Sequence, residues 1–181
     1  MANTYTLIQS YTLASDTANG VTFSNIPNTY THLIINMSGR GTRSTYNSDD
    51  VRITINGSTG SYSNIRLYGT NNTSSADGGA GSGQTYLGVV AGGTATANVF
   101  GNGEWFFPNY LSSTLKNAYA NSGSVESSNG ALYQMGIGSL SAPTSITGAI
   151  TSIKLEGYGS VSNNGTLTAG STIFLYGLKS T

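Results

Sequence analysis

The sequence predicts an all-β protein, an antiparallel jelly-roll-like β-sandwich of about nine to eleven strands. Apolar and polar residues alternate over many short stretches, which is the pattern of strands with one buried face. The apolar positions are rich in β-branched and aromatic residues, and Gly, Asn and Ser separate the stretches. Helical patterns have little support. The one candidate, residues 108–120, has a Ser-Ser-Thr centre that disfavours helix, so we predict a loop that enters a strand.

The alternation is clearest in the N-terminal part of the chain. The predicted apolar faces of four stretches are Tyr5, Leu7, Tyr11 and Leu13; Leu33, Ile35 and Met37; Val51, Ile53 and Ile55; and Ile65 and Leu67. Arg52 and Thr54 point away from the third face, and Arg66 points away from the fourth. Asn56 and Gly57 follow the third stretch and indicate a tight turn. We therefore expect half-buried strands over this region.

Five further stretches of the same kind follow, at residues 84–92, 98–107, 130–138, 150–157 and 171–178. In the second of them, Trp105 and Phe107 point to one face and Phe106 to the other, which makes both faces apolar. This pattern fits a strand buried on both sides, and it also fits a strand with one face covered by a partner. An aromatic platform for sugars is a third explanation.

Three polar segments, residues 42–50, 70–84 and 160–171, are predicted to be long loops, and Leu167 divides the last of them. Loops of this length in a compact domain are usually functional or disordered. No internal repeat and no linker divides the chain, so we predict one β-sandwich domain over residues 1–181.

The composition argues against several classes of function. Charged residues make up only 8% of the chain, and 7 Lys and Arg balance 7 Asp and Glu. A neutral chain without a basic run lacks the charge pattern of nucleic-acid binding. No stretch reaches the roughly 18 apolar residues of a membrane span. The N-terminus has no signal-peptide pattern, so we expect neither membrane insertion nor export by the usual secretory route.

Candidate chemical groups are few and scattered. The absence of Cys excludes thiolate chemistry, and His32 is the one histidine, which we interpret as an ordinary strand or interface residue. Asp49, Asp50 and Asp77 could offer oxygen ligands to calcium, but they lack the calcium-loop spacing, and we interpret them as solvated loop acids. The Gly-rich residues 78–83 lack the lysine of a phosphate-binding loop. The sequence therefore predicts no enzyme activity, no cofactor and no metal.

The interface candidates are arginines and aromatic residues, which are the types enriched where proteins meet. They are Arg40, Arg43, Tyr46, Arg52, Arg66, Trp105 and Phe106. The two arginines Arg52 and Arg66 are expected on the outward face of neighbouring strands. A scattered set of solubilising arginines is the alternative interpretation.

Three segments resemble tailed-bacteriophage virion proteins. Residues 18–40 have the aromatic strand, Ile-Pro pair, tyrosine and hydrophobic strand that recur near the N-terminus of such proteins, here Phe23, Ile26, Pro27, Tyr30, Leu33 and Ile35. Residues 97–122 resemble a strand that ends in Pro-Asn-Tyr and a Ser/Thr/Lys turn. Residues 149–179 resemble a closing hairpin that runs to Leu-Tyr-Gly. The resemblance implies a phage structural β-sandwich and no catalytic residues.

On this resemblance we expect a virion location, after assembly in the host cytoplasm, and most specifically a capsid decoration (cement) protein. Such a protein stabilises the shell by bridging capsid subunits, so its partners would be the major capsid protein or other virion proteins, and a homotrimer is expected. The candidate contacts are the loops at residues 40–50 and 70–84. The alternative is a head-fibre or tail receptor-binding module that recognises host surface glycans.

Overall fold

The computed structural model of the chain describes residues 4–44, 47–70, 73–82, 85–125, 132–142, 145–158 and 165–179. These residues form an all-β protein without a helix, as the sequence predicts. Twelve strands are present among them, close to the predicted number. They are β1 (Tyr5–Thr12), β2 (Val21–Phe23), β3 (His32–Gly39), β4 (Ser48–Ile55), β5 (Ser61–Thr70), β6 (Thr73–Ser82), β7 (Thr85–Ala91), β8 (Gly101–Phe107), β9 (Asn117–Val125), β10 (Leu132–Ser141), β11 (Ile153–Tyr158) and β12 (Thr172–Leu178).

The strands form two antiparallel sheets. The larger sheet has eight strands in the order β1-β12-β3-β8-β9-β10-β5-β6, and the smaller has four in the order β2-β11-β4-β7. The chain passes repeatedly from one sheet to the other, because β2, β4, β7 and β11 alternate in sequence with strands of the larger sheet. This passage back and forth gives the sandwich its jelly-roll-like character.

The hydrophobic core lies between the two sheets. Fully buried side chains come from the smaller sheet (Phe23, Val51, Ile53, Ile55, Leu155) and from the larger sheet (Leu33, Ile35, Trp105, Phe107, Leu175). Each such side chain contributes about 1.5–3 kcal/mol relative to an exposed one. The core between the sheets is therefore the main source of stability.

Trp105 occupies the centre of this core and depends on two glycines. A Cβ atom added to Gly88 would lie 2.5 Å from Cζ2 of the indole, and one added to Gly103 would lie 2.5 Å from Cη2. Gly88 also has a φ of +134°, which side chains rarely adopt. The indole therefore packs directly on backbone, and any side chain at these two positions would displace it.

The alternation predicted for β4 and β8 is confirmed. Val51, Ile53 and Ile55 are completely buried, while Arg52 on the same strand is only half-buried. In β8, Phe107 is buried and the preceding Phe106 is partly exposed on the other face. The predicted loop over residues 108–120 is also confirmed up to the start of β9, and no helix forms there.

The single face predicted for the first strand is wrong. A β-bulge between Leu7 and Gln9 inserts an extra residue into β1 and reverses the alternation beyond it. Tyr5 and Leu7 are therefore 54% and 52% exposed, whereas the Tyr11 ring packs against the core, with 5.3 Å between its centroid and that of Phe23. The bulge leaves two large apolar side chains on the surface.

The loop predicted over residues 70–84 is also wrong, since most of it is strand β6. This strand pairs with β5 along its whole length, from Thr70 opposite Thr73 to Ser61 opposite Ser82. Its small and polar residues show no alternation, and backbone hydrogen bonding to β5 makes it a strand. Of the third predicted loop, residues 160–164 lie outside the described part, and the buried Leu167 anchors the remainder through bridges to Thr17 and Gly41.

Candidate interaction surface

Arg40 lies between the end of β3 and the segment that follows β7, and its guanidinium group is used inside the protein. It donates hydrogen bonds of 2.7–3.3 Å to four backbone carbonyls, those of Gly93, Ala95, Thr96 and Val99. These four bonds use the two terminal nitrogens of the guanidinium, so only its Nε–H remains for another acceptor. Arg40 therefore holds the segment over residues 93–99 in place by hydrogen bonds.

Arg43 and Arg66 meet at one carboxylate. Arg66 donates a hydrogen bond of 2.7 Å to Oδ1 of Asp50, and Arg43 lies 3.6 Å from Oδ2 of the same group. The side chains of all three residues are only 16–17% exposed. Tyr46, predicted near this point, lies outside the described residues. The Asp50 carboxylate thus links β5 of the larger sheet to β4 of the smaller.

Arg52 takes part in a second ion cluster. Its Nε donates to Oε1 of Glu156 at 2.5 Å, and Lys154 Nζ lies 2.6 Å from the other oxygen. Arg52 and Arg66 were expected on neighbouring strands, but β4 and β5 belong to different sheets, so the structure separates them. Each of these two arginines instead pairs with a carboxylate of the same chain, Arg52 with Glu156 and Arg66 with Asp50. Whether any of the four also contacts a partner stays a prediction.

The acids near this region are not solvated, contrary to the interpretation above. Asp49 is completely buried, and its Oδ1 has no hydrogen-bond partner, while Oδ2 accepts a bond of 3.4 Å from the backbone N of Arg43. Burial raises the pKa of Asp49 to about 7, and the charge of Asp50 adds to the effect. The side chain of Asp77 lies outside the described part.

The two aromatic interface candidates, Trp105 and Phe106, lie on opposite sides of β8. Trp105 is completely buried in the core and does not reach the surface of the chain. Phe106 points to the opposite side of β8, where its ring lies 5.3 Å from the ring of His32. His32 also accepts a hydrogen bond from the backbone N of Asn109 through Nδ1, which is the ordinary strand role expected of it. Phe106 belongs to a row of apolar side chains on the outer side of the larger sheet, which the sequence pattern did not predict.

We define the outer face as the side of the eight-stranded sheet that points away from the smaller sheet. The strand register places Leu7, Tyr176, Ile34, Phe106 and Tyr119 side by side on five adjacent strands of the outer face, and Ile65 on β5 lies in the same row beyond β10. Leu67 lies one step along β5, and Tyr5 contacts Tyr176 edge-on, with 6.1 Å between ring centroids. This row is therefore apolar and aromatic, whereas the adjacent row contains Asn36, Glu104 and Asn121.

Much of this face is open to solvent. The most exposed of its large side chains are Leu67 (62%), Ile65 (61%), Tyr5 (54%), Leu7 (52%) and Tyr119 (43%). The sequence prediction that Ile65 and Leu67 face the core is wrong, because Arg66 points inward to Asp50 and so turns its neighbours outward. Alternation identifies residues that share a face, but it does not say which face is covered.

The outer face is also almost uncharged. The eight strands of the larger sheet contain three charged residues, Arg66, Asp77 and Glu104. The Arg66 side chain points inward to Asp50, so Glu104 is the one charged residue on the outer side among the side chains that the structure describes in these strands. A large apolar patch of this kind usually marks a place where another surface binds.

Other kinds of site find no support among the described residues. No group of three or more His, Asp and Glu side chains in this part is placed to hold a metal ion. The same part includes no helix long and apolar enough to cross a membrane. Comparison of the sequence with models of known protein families and with curated proteins gave no match.

Proposed function

We propose that this chain is a structural protein of a tailed-bacteriophage virion, and most specifically a capsid decoration protein. It would bind the assembled shell as a homotrimer and bridge neighbouring copies of the major capsid protein. The added contact area would hold together joints that the pressure of packaged DNA tends to open. The three segments that resemble phage structural proteins support the family, and the confirmed β-sandwich agrees with it.

The single observation that carries the proposal is the row of apolar and aromatic side chains on the outer face, where Glu104 is the one charged residue among the described side chains of these strands. Leaving Ile65 and Leu67 more than 60% exposed is unfavourable for an isolated protein, because each exposes apolar surface worth about 25 cal/mol per Å². Covering this surface in an assembly recovers that free energy. A protein with such a face is suited to bind other protein surfaces.

The structural context of the arginines is consistent with this proposal. Arg40, Arg52 and Arg66 stabilise the fold through carbonyls and carboxylates of the same chain. The loop contacts over residues 40–50 and 70–84 stay predictions, and the outer face, with few charges, is the main candidate for assembly. A neutral face also allows many copies to lie near one another without the repulsion that accumulated like charges would cause.

The test is to mix the purified protein with empty phage shells that lack it. We expect the protein to sediment with the shells and to raise the temperature at which they dissociate in a calorimeter. A variant that combines Ile65→Asp with Leu67→Asp on the outer face should bind the shells more weakly. Leu111→Asp combined with Leu115→Asp is the control and should bind as the unaltered chain does, since both residues are exposed but lie between β8 and β9, outside the sheet. Failure to bind shells or any other virion component would refute the structural proposal.

A glycan-binding head-fibre or tail module is the second candidate, and one observation favours it. Phe106 and Tyr119 lie side by side on the outer face, next to Asn36, Glu104 and Asn121 in the neighbouring row of the register. Aromatic rings beside amide and carboxylate groups can bind sugar rings and their hydroxyls. Binding of the isolated protein to a glycan array or to host cells, without binding to shells, would favour this alternative.

A further inference from the structure

We propose that the free edge of β6 binds an extended segment of a different protein, which adds a strand to the eight-stranded sheet. This edge is the rim of the sheet and is separate from the outer face, so the inference does not depend on the proposed function. It depends on three properties of β6, namely its uncovered edge, the backbone groups along that edge and the charge of Asp77.

The other three edge strands of the two sheets are short, bulged or attached to the opposite sheet, which are ways in which proteins protect sheet edges. β2 has only three residues. β1 has a bulge, and the Tyr11 hydroxyl donates a hydrogen bond of 2.9 Å to the carbonyl of Thr22 in β2. In β7, the backbone N of Val89 donates a bond of 3.0 Å to Oγ of Ser122 in β9. These three edges therefore offer little continuous backbone to another chain.

The strand β6 lacks each of these forms of protection. It has ten residues, its register with β5 has no bulge, and it contains neither proline nor lysine. It is the last strand of the larger sheet, so within the described ranges of the chain no strand pairs with its other side. A long and regular edge of this kind is a template on which a further strand can pair.

The backbone groups along the edge select an extended chain as the partner. In an antiparallel ladder, every second residue turns its N–H and C=O away from the neighbouring strand. A Cβ added to Gly78 would lie 3.2 Å from Cα of Ile65 opposite, and such close approach is typical of pairs that exchange no hydrogen bonds. Gly78, Ala76 and Ser74 therefore direct their backbone groups outward, at a spacing of roughly 6.8 Å. Another extended backbone has donors and acceptors at the same spacing.

The charge of Asp77 disfavours a second copy as that partner. Two copies related by a two-fold axis would pair their β6 edges antiparallel, with outward-directed residues opposite each other. Two registers then pair almost the whole strand. One places Asp77 directly opposite Asp77 of the other copy, and the other places the two residues diagonally across the joint. Like charges at such positions are destabilising, whereas a different chain can place a basic residue there.

The test uses a synthetic peptide with the sequence of β5, Ser61–Thr70, because this sequence pairs with β6 and places Arg66 opposite Asp77. Its fluorescence anisotropy is followed while the full chain is added from about 1 to 500 μM, a range that includes the Kd values of weak complexes. A second peptide that carries Arg66→Glu is the control for the charge of the partner. Hydrogen exchange of the Ser74 and Ala76 amides, followed by NMR, reports on the edge itself.

The edge variant combines Ser74→Pro with Ala76→Pro and removes two outward N–H groups. Proline is tolerated in an edge strand where the N–H would face solvent, so pairing with β5 should persist. The matched control combines Ser74→Ala with Ala76→Ser, which keeps both N–H groups at the same exposed positions. Circular dichroism checks that the variants are folded. The two peptides and the exchange measurement test the inference on the unaltered chain, even if the proline variant does not fold.

We expect saturable binding of the β5 peptide to the unaltered chain and to the control variant. Binding should be about tenfold weaker for the edge variant, which loses two main-chain hydrogen bonds, and also for the glutamate peptide. The amides of Ser74 and Ala76 should exchange about tenfold more slowly when the peptide is bound.

Absence of binding, equal binding by the edge variant or equal binding of the two peptides would overturn the inference. Slow exchange of the two amides without peptide would also overturn it, because another part of the chain or a second copy would then cover the edge. The outcome is separable from that of the virion proposal. A chain that binds the peptide but no virion component refutes only the virion role, and one that binds shells but no peptide refutes only the edge site.

Discussion

Phe106 and Tyr119 lie directly opposite each other on β8 and β9, at the middle of the outer face. Trp105 and Ala120, their neighbours in the chain, form the adjacent pair and are buried on the other side of the same two strands. At these two positions the central strands are therefore apolar on both sides, and among the described residues only the inner side is fully covered, since Tyr119 is 43% exposed and Phe106 is half-buried. This is the physical basis of the account given above, in which another surface covers the second side.

Neutralising Glu104 should strengthen binding of the outer face to the shell. Its carboxylate has no cation on the outer side of these strands to pair with, so covering the face removes a charge from water without compensation from this chain. We expect Glu104→Gln to lower the Kd for empty shells about tenfold, equivalent to about 1.4 kcal/mol, as measured by cosedimentation. Lys179→Gln, a change of charge at an exposed residue after β12, is the control and should leave the Kd unchanged. An unchanged or higher Kd for Glu104→Gln would argue against burial of this residue.

Adding one methyl group at Gly103 should destabilise the core. The new Cβ would lie 2.5 Å from Cη2 of Trp105, and the backbone of Gly88 also approaches the indole closely. Overpacking of this kind costs about 1–3 kcal/mol of unfolding free energy, which urea denaturation of Gly103→Ala would measure. Gly148→Ala is the matched control, because a Cβ there meets no atom within 4 Å. Equal stability of the two variants would contradict the packing described for Trp105.

Asp49 should make the stability of the protein depend on pH near neutrality. Burial raises the pKa of its carboxyl from 3.8 to about 7, so the folded state holds the proton more tightly than the unfolded chain does. Stability from this group is therefore fully present below about pH 4 and decreases as the pH rises towards 7. Because Asn does not titrate, the free energy of unfolding of Asp49→Asn should rise relative to that of the unaltered chain over this interval, by at most about 4 kcal/mol.

The measurement for Asp49 is urea denaturation of both proteins at several pH values between about 4 and 8.5, a range that brackets the two pKa values. Other acids titrate in both proteins, so the informative quantity is the difference between their unfolding free energies. That difference should favour Asp49→Asn increasingly up to about pH 7 and then stay constant. A difference independent of pH would show that Asp49 has an ordinary pKa in the folded protein.

Removing the Arg40 guanidinium should release the segment over residues 93–99. Four backbone carbonyls would lose a charged donor, and hydrogen bonds to charged groups contribute about 1.5–3 kcal/mol each when no water replaces them. Since part of this site is exposed, we expect a total loss of about 3 kcal/mol for Arg40→Ala. Arg40→Lys should recover little, because one ammonium group does not reach four acceptors. Full recovery by lysine, seen in thermal denaturation, would mean that charge alone matters at this position.

Much of the fold could be predicted because the sequence signal was local. In β4, strict alternation of Val51, Ile53 and Ile55 with polar residues was enough to identify a strand and its buried face. The strand β6 gave no such signal, since its small side chains do not alternate, and it exists because β5 offers a backbone to pair with. Pairing between strands is a tertiary property, so residues 73–82 resembled a loop.

The candidate surface was predicted less well, for two physical reasons. Alternation places Ile65 and Leu67 on one face but does not reveal that Asp50 holds Arg66 on the inside, which turns the two apolar residues outward. A bulge after Leu7 reverses the direction of the later residues of β1, and a bulge leaves little trace in sequence. Both effects added apolar residues to a face that the sequence pattern assigned to the core.

The most direct test of the proposed function is quantitative mass spectrometry of purified particles of the phage to which the proposal assigns this chain. A decoration protein that bridges capsid subunits must be present in numbers comparable with those of the major capsid protein. We therefore expect peptides of this chain at an abundance close to that of the shell protein, both in complete virions and in empty capsids. Particles that contain none of this chain would contradict the account, and a few copies per particle would place it at a vertex or the tail instead of on the shell.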